Sequence, residues 1–392
     1  MRIAHIITRM IVGGAQENTL VCCQDLRRVY GDEAILVTGP AVGPEGDLLA
    51  RGGAGDVPVE LVSTLRRAIN PGWDLRAYRD LKRVLRAFRP DVVHTHSAKA
   101  GFLGRQVAWS LRVPVIVHTV HGAPFHPYQP AAARAFFRWC EKHAATRCHR
   151  LVSVADAMTD QLVAAGVADR ARFVTIYSGM DVEPFLHAAE HRAAARRALG
   201  LEDRHILVGK IARLFHLKGH AYVIAAAKQV IAAEPATHFV LVGDGILRAP
   251  VQQSIDAAGL HDHFHFTGLV DPAAIPKWIG AMDILVHASL REGLARALPQ
   301  ALIAGKPVVS YDVDGAREVV LPGVTGFLAP PRSVTPLADA LLTLVRDPAL
   351  RIRMGQTGRR QFTDQFRHET MTRRLRELYR QLQKRAGEGG RI

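Results

Sequence analysis

The order of short apolar runs and longer amphipathic ones predicts an α/β protein of two consecutive domains, each a parallel sheet flanked by helices. Three observations carry that expectation. Strand-length and helix-length segments alternate along the whole chain. The alternation stops over residues 177–184 (YSGMDVEP), a stretch of turn residues without periodicity, and then begins again. Each half also places a glycine loop straight after its first strand, Gly13-Gly14 in one and Lys218-Gly219 in the other. A length of 392 residues suits two domains of ordinary size. The expected division is 1–185, 186–365, and a C-terminal helix over 366–392 that packs back on the first domain and frays from Gly387.

In the first half a strand over 2–8 leads through Gly13-Gly14 into a helix from about Ala15. Bare backbone amides at such a place suit an anion, although a glycine pair is as readily a plain turn, and the full dinucleotide fingerprint is missing. Strands follow at 34–38 and 57–61. A helix after Pro71 sets Leu81, Val84, Leu85 and Phe88 on one face and Arg76, Arg79, Arg83 and Arg86 on another. That arginine stripe suits either anionic headgroups or solvent. Residues 91–96 (DVVHTH) form a strand ending in His94 and His96, and 115–120 form one ending at His121. Histidines at strand ends can meet a sugar or leaving group, or serve the core; no carboxylate spacing makes them a metal site. Strands at 151–154 and 173–176 complete this half.

The second half opens with a helix over 188–199 and a strand over 205–212. Arg213 and Lys218, five residues apart and closing on Gly219 at a helix start, predict a diphosphate clamp of planar fork, point charge and helix dipole. Residues 239–245 (FVLVGDG) run from a strand into a tight turn at Gly243 and Gly245. A strand at 264–267 and a helix at 272–281 precede the stretch 283–305. That stretch reads as strand, sharp turn at Arg291-Glu292-Gly293, then helix. At the carboxyl edge of a parallel sheet, Glu292 can accept hydrogen bonds from a polyol, or simply favour a helix start. A strand at 307–311 follows. Asp312 and Asp314 imitate a metal motif, but the strand-to-helix turn makes Asp314 a helix cap instead. From Arg332 the chain is helical to Lys384.

With 48% hydrophobic and 22% charged residues the chain is a folded globular protein. Cys22, Cys23, Cys140 and Cys148 lack metal-ligand spacing and act as small hydrophobes. No signal peptide or transmembrane run is legible, so a cytoplasmic place is expected. Residues 1–180 carry 23 Lys and Arg against 15 Asp and Glu, and the rest 28 against 21. The net +15 is therefore spread over both halves. Dispersed charge without stacking aromatics argues against nucleic acid and leaves polyanionic ligands or an anionic membrane surface.

Taken in order, these motifs resemble family 4 of the retaining glycosyltransferases, whose GT-B fold sets two Rossmann-like domains face to face across a cleft. The resemblance covers nearly the whole chain. It rests on Gly13-Gly14, 91–96, 118–122 (HTVHG), 177–181 with Phe185, Arg213 with Lys218-Gly219, 242–245, Ser289 with Glu292-Gly293-Leu294, and 304–309 (AGKPVV). It implies transfer of a hexosyl group from a UDP- or GDP-sugar, without metal or other cofactor, to a glycan or lipid-linked acceptor in surface polysaccharide synthesis. The basic first half, with its arginine stripe, leads to the expectation of peripheral contact with the inner face of the plasma membrane. By resemblance Arg213 and Lys218 hold the diphosphate, and Glu292 contacts hydroxyls of the sugar. Gly293, Leu294 and Ala295 lie beside that sugar, with Gly243 and Gly245 also on the donor. His121 lies against the donor sugar, the Gly13-Gly14 loop approaches phosphate and acceptor, and His96 is placed on the acceptor side.

Three departures stand out. The family usually has a second glutamate eight residues after the first, for the ribose; this chain has Gln300. Pro299 falls inside the expected helix, where it should kink or restart it, while Ala295 stands where the family often has proline. Ser178 replaces a common asparagine. The competing readings are a non-catalytic nucleotide-sugar-binding protein and an epimerase or phosphorylase of the same fold.

Overall fold

A computed structural model of the chain describes residues 1–43 and 46–388. The chain forms two compact units, one of Met1–Met180 plus the segment from Phe366 on, the other of Asp181–Gln365. In the first unit the strands are β1 (Arg2–Arg9), β2 (Glu33–Gly39), β3 (Val59–Leu61), β4 (Val92–His96), β5 (Val115–Val120), β6 (Arg150–Ser153) and β7 (Phe173–Thr175). They form one sheet in the order β3-β2-β1-β4-β5-β6-β7, every pair parallel. The helices are α1 (Gly14–Arg28), α2 (Leu48–Gly52), α3 (Pro71–Phe88), α4 (Ala98–Ser110), α5 (Ala131–Ala145) and α6 (Asp156–Ala164).

The second unit has helices α7 (Glu183–Leu186), α8 (Arg192–Ala198), α9 (His220–Ala233), α10 (Arg248–Ala257), α11 (Ile275–Ala281), α12 (Ala297–Ile303), α13 (Thr335–Arg346) and α14 (Pro348–Phe362). Its strands are β8 (Ile206–Ile211), β9 (Thr237–Val242), β10 (Phe264–Gly268), β11 (Ile284–His287), β12 (Val308–Tyr311) and β13 (Gly326–Ala329), in the order β10-β9-β8-β11-β12-β13 and again parallel. The last helix, α15 (His368–Gly387), returns to the first unit. In each sheet the strand order reverses once, between β1 and β4 and between β8 and β11. Loops at the carboxyl ends of those strands therefore border a ligand crevice in each unit.

Local chemistry explains the elements. The Asn70 side chain accepts from the Trp73 amide, Pro71 begins α3, and Ala77, Leu81 and Leu85 bury its apolar stripe. The central strands are buried on both faces because helices cover both. Against α1, the α15 residues Met371, Leu375, Leu378 and Tyr379 close the core of the first unit. Arg376 and the chain's amino terminus both pair with buried Asp32, at 2.7 and 2.8 Å.

Several expectations need correction. The helix expected over 188–199 is a 3-10 turn (Ala188–His191) followed by α8, and α7 before it went unread. Helix α12 starts only at Ala297, so Glu292 is not at a helix start. Pro299 consequently lies in the first turn of α12, where its missing amide would have had no partner. The Gln300 amide already bonds the Arg296 carbonyl at 3.1 Å, so the proline restarts the helix without kinking it. Asp314 caps nothing; it begins a short 3-10 turn with φ 48°. Gly387 ends α15, and the expected fraying of Gly389 to Ile392 lies outside the described residues.

Candidate active site

In the second unit two loops meet at the switch point of the sheet. Gly219, with φ +71°, caps α9 directly against the end of β11, and a Cβ there would stand 1.8 Å from the Ala288 carbonyl oxygen. Only glycine fits, for reasons of both conformation and space. The Leu290 amide donates to the Leu217 carbonyl at 2.8 Å and ties the loops together. That approach brings the Lys218 Nζ to 2.5 Å from Glu292 Oε1, with His287 Nε2 at 3.6 Å from the same oxygen. From the far side the Glu292 amide donates to Asp314 Oδ2 at 2.6 Å, and the Gly315 amide to the Gly293 carbonyl at 3.0 Å. Glu292 is thus held by backbone and side chain. Burial opposes its ionisation, but His287 and Lys218 outweigh burial and keep the carboxyl well below its ordinary range.

Behind this pair lies a layer the sequence reading passed over. Lys210, the last residue but one of β8, is 1% exposed and its Nζ has no hydrogen-bond partner. Burial and then Lys218 pull its pKa down to about 7, with Glu292 opposing. His220 and His287, both buried, are held below their ordinary value by burial first. The signal was present: a lysine in the apolar run 206–211 and a histidine closing β11 are both out of pattern.

The other donor-side residues fall as follows. Arg213 is exposed just beyond β8, its guanidinium 4.9 Å from the centre of the Phe215 ring. Gly243 and Gly245 let the next loop pack under it, since Cβ atoms there would meet the carbonyls of Ala212 at 2.3 Å and Leu214 at 2.5 Å. Gly293 is buried; Leu294, Ala295 and Gln300 are half-buried between Glu292 and the first turn of α12. Of the six non-glycine residues with left-handed backbone, Ser97 follows β4, Leu217 precedes the Lys218-Gly219 turn and Asp314 lies beside Glu292. Asp312 forks onto Arg317 at 3.0 and 2.9 Å, so the two aspartates of the metal-like motif face different partners.

In the first unit Gly13 precedes α1 with extended backbone and Gly14 begins it. Strand register pairs His5 with His94 and His96 with Thr119, which sets these residues on one face of the sheet. His5 Nδ1 lies 3.0 Å from His96 Nε2, and His96 Nδ1 lies 3.1 Å from His121 Nε2. His94 bonds Tyr379 Oη at 2.5 Å and Thr119 Oγ1 at 2.7 Å. His96 is 1% exposed, with both ring nitrogens engaged by His5 and His121. His121, half-buried, lines a cavity of about 290 Å³ with Ser97, Gly122 and Glu141. Among the described residues His5, His94 and His96 have nitrogens within 4.8 Å of one another, and hydrogen bonds to neighbours engage both nitrogens of His94 and His96.

Residues 13–179 match the family described as glycosyl transferase 4-like domain, and residues 191–361 match glycosyl transferases group 1. A GDP-mannose-dependent alpha-mannosyltransferase of Mycobacterium tuberculosis is 31% identical over 285 residues, 71% of each chain. The chain belongs to the family 4 glycosyltransferases of GT-B fold. The Escherichia coli UDP-Gal:alpha-D-GlcNAc-diphosphoundecaprenol alpha-1,3-galactosyltransferase is 27% identical over 382 residues, covering 97% of this glycosyltransferase and 96% of its relative. The fold matches that of HepE from Anabaena, solved in complex with UDP, at a TM-score of 0.81 over 97% of this chain and 100% of that one, at 23% identity. Among the described residues of the glycosyltransferase no helix is long and apolar enough to cross a membrane.

Proposed function

We propose that this glycosyltransferase moves a hexosyl group from a nucleotide-diphosphate sugar to a glycan or lipid-linked acceptor, with the anomeric configuration retained and without a metal ion. The observation that carries the reading is the Lys218–Glu292 contact at the carboxyl edge of the second sheet, with Arg213 at the end of the neighbouring strand. Breaking the anomeric bond builds charge on the departing diphosphate, and cations fixed there beforehand stabilise it most. Arg213 and Lys218 take that part. When Lys218 turns to the phosphate, His287 and the Asp314 bond keep Glu292 in place for the sugar hydroxyls. Backbone of Gly293, Leu294 and Ala295 lies beside the same sugar, and Gln300 serves the ribose. By the resemblance, His121 is assigned to the donor sugar and the Gly13-Gly14 loop to the phosphate. The acceptor attacks from the face the diphosphate leaves, which takes its proton.

UDP- and GDP-linked donors are both supported, by a UDP-Gal-dependent and a GDP-mannose-dependent relative. The diphosphoundecaprenol acceptor in the name of the Escherichia coli relative supports a lipid-linked acceptor; surface polysaccharide synthesis at the inner face of the plasma membrane is the setting proposed for it. The surface agrees: Arg76, Arg79, Arg83 and Arg86 on α3 are exposed. On α5 Phe136 and Trp139, 45% and 57% exposed, stand among exposed Arg134, Arg138 and Lys142.

The test is incubation with UDP- and GDP-hexoses and acceptor, with the anomeric coupling of the product read by NMR. An axial donor should give an axial product. Arg213→Ala and Lys218→Ala should each lower turnover about 100-fold, the scale of losing one electrostatic donor. Inverted product, or near-wild-type turnover in both variants, would overturn the proposal.

A further inference from the structure

Lys210 is a buried, charge-bearing group for which the reaction proposed above has no task. It sits near the carboxyl end of β8, one of the two strands between which the order of the second sheet reverses. Its side chain is 1% exposed, and its Nζ finds no acceptor. At the neighbouring strand ends His220 Nδ1, both ring nitrogens of His287 and Ser289 Oγ are also buried without a hydrogen-bond partner. The layer beneath the Lys218–Glu292 pair is therefore polar but unbonded.

An ammonium with no acceptor in such a place costs several kcal/mol, and a neutral amine costs much less. Lys218 adds to the cost as a second cation in the field of Lys210. The carboxylate that could offset it, Glu292, is already taken by Lys218 at 2.5 Å. The other groups in that field are His220, which opens α9, and His287, which closes β11. Burial keeps both below the ordinary histidine value, so neither supplies a negative charge or a second proton. Burial first and Lys218 second bring Lys210 down to about 7, so near neutral pH a change of charge nearby decides which form it takes.

We propose that Lys210 is a proton-linked positioning residue of the donor site: a neutral amine in the free protein, it takes up one proton from solvent when a nucleotide-diphosphate sugar binds, and as an ammonium it replaces Lys218 as the counter-charge of Glu292. The entry of the donor beside Lys218 rests on the function proposed above. An anionic diphosphate there adds negative charge to the field of Lys210. Lys218, turning to the phosphate, leaves behind the carboxylate that already attracts Lys210. Both changes favour the ammonium. Glu292 thus keeps a cation, and stays ionised and in place for the sugar, while Lys218 serves the phosphate.

Isothermal titration calorimetry of the full chain at pH ~8, in buffers of different ionisation enthalpy, reads the protons taken up on binding. The probes are UDP-glucose, UDP-galactose and GDP-mannose, whose diphosphate diesters do not titrate near that pH, so a proton taken up goes to the protein. The wild type should take up about 0.5–1 proton per donor bound. A proton held only in the complex makes affinity fall as pH rises, by up to about tenfold per unit above pH ~7. Lys210→Met should abolish both the uptake and the slope, and should bind donor about tenfold or more weaker at pH ~7. Lys210→Gln, also uncharged, serves if the first variant does not fold. In wild-type protein carrying 13C-lysine, a Cε signal that titrates near pH ~7 without donor should stay in its ammonium position to pH ~8.5 with UDP-glucose bound, a reading that needs no variant. Donor binding without proton uptake, or uptake that persists in Lys210→Met, overturns the inference and leaves the donor site standing. Failure of all three probes to bind overturns the donor site, and the inference with it.

Discussion

Lys210 shows how a single side chain ties activity to stability. Its ammonium is buried near the carboxyl end of a strand without a hydrogen bond, next to a second cation, Lys218, and within the field of Glu292. Such a group weakens the fold unless function retains it. Its pKa is about 7 in the folded chain and 10.5 in the unfolded one. Between these values the unfolded chain binds a proton that the folded chain lacks, so stability rises with pH across that window. Lys210→Met should therefore raise stability by about 1–4 kcal/mol below pH ~7, a gain that fades as pH approaches ~10. Urea unfolding at a series of pH values checks it; a gain independent of pH would mean that the folded and unfolded chains bind the Lys210 proton alike, with its pKa unshifted. At this scale the sequence named Arg213, Lys218, Glu292 and His121, because charged and imidazole groups at strand ends are out of place in an apolar pattern. It did not name Lys210, His287 or His5, whose importance comes from neighbours far along the chain.

Among the elements, the Lys218–Gly219 turn and the loop after β11 decide the geometry. Gly219→Ala places a Cβ 1.8 Å from the Ala288 carbonyl and strains a left-handed backbone, so the turn must retreat. The variant should lose about 2 kcal/mol or more of stability. It should lose turnover out of proportion to that, because Lys218 leaves Glu292. Full activity in a folded Gly219→Ala protein would refute the link between the turn and the pair. Element identity was largely legible, since strand and helix periods differ along the chain. Boundaries at α12 and at Asp314 were not. Residues 291–296 follow tertiary bonds, the Asp314 carboxylate to the Glu292 amide above all, and no local propensity encodes those.

For the molecule as a whole, α15 is the element whose place is least implied by its order in the chain. It is last in sequence, yet it completes the core of the first unit, where Tyr379 bonds His94 and Arg376 pairs with Asp32. Asp32 is 4% exposed and also holds the chain's amino terminus. Arg376→Ala should destabilise the first unit by about 1–3 kcal/mol, seen as earlier proteolysis within residues 1–180 while the second unit resists. Equal loss in both units would contradict that assignment. What the sequence alone determined was the alternation of elements and the chemistry at each strand end, because periodicity and turn residues are local properties. Only the tertiary structure decided which ends meet: parallel register sets His5 beside His94, and a glycine without a Cβ seats Lys218 on Glu292. Those contacts join residues separated by tens of positions, so they depend on packing rather than on any pattern along the chain.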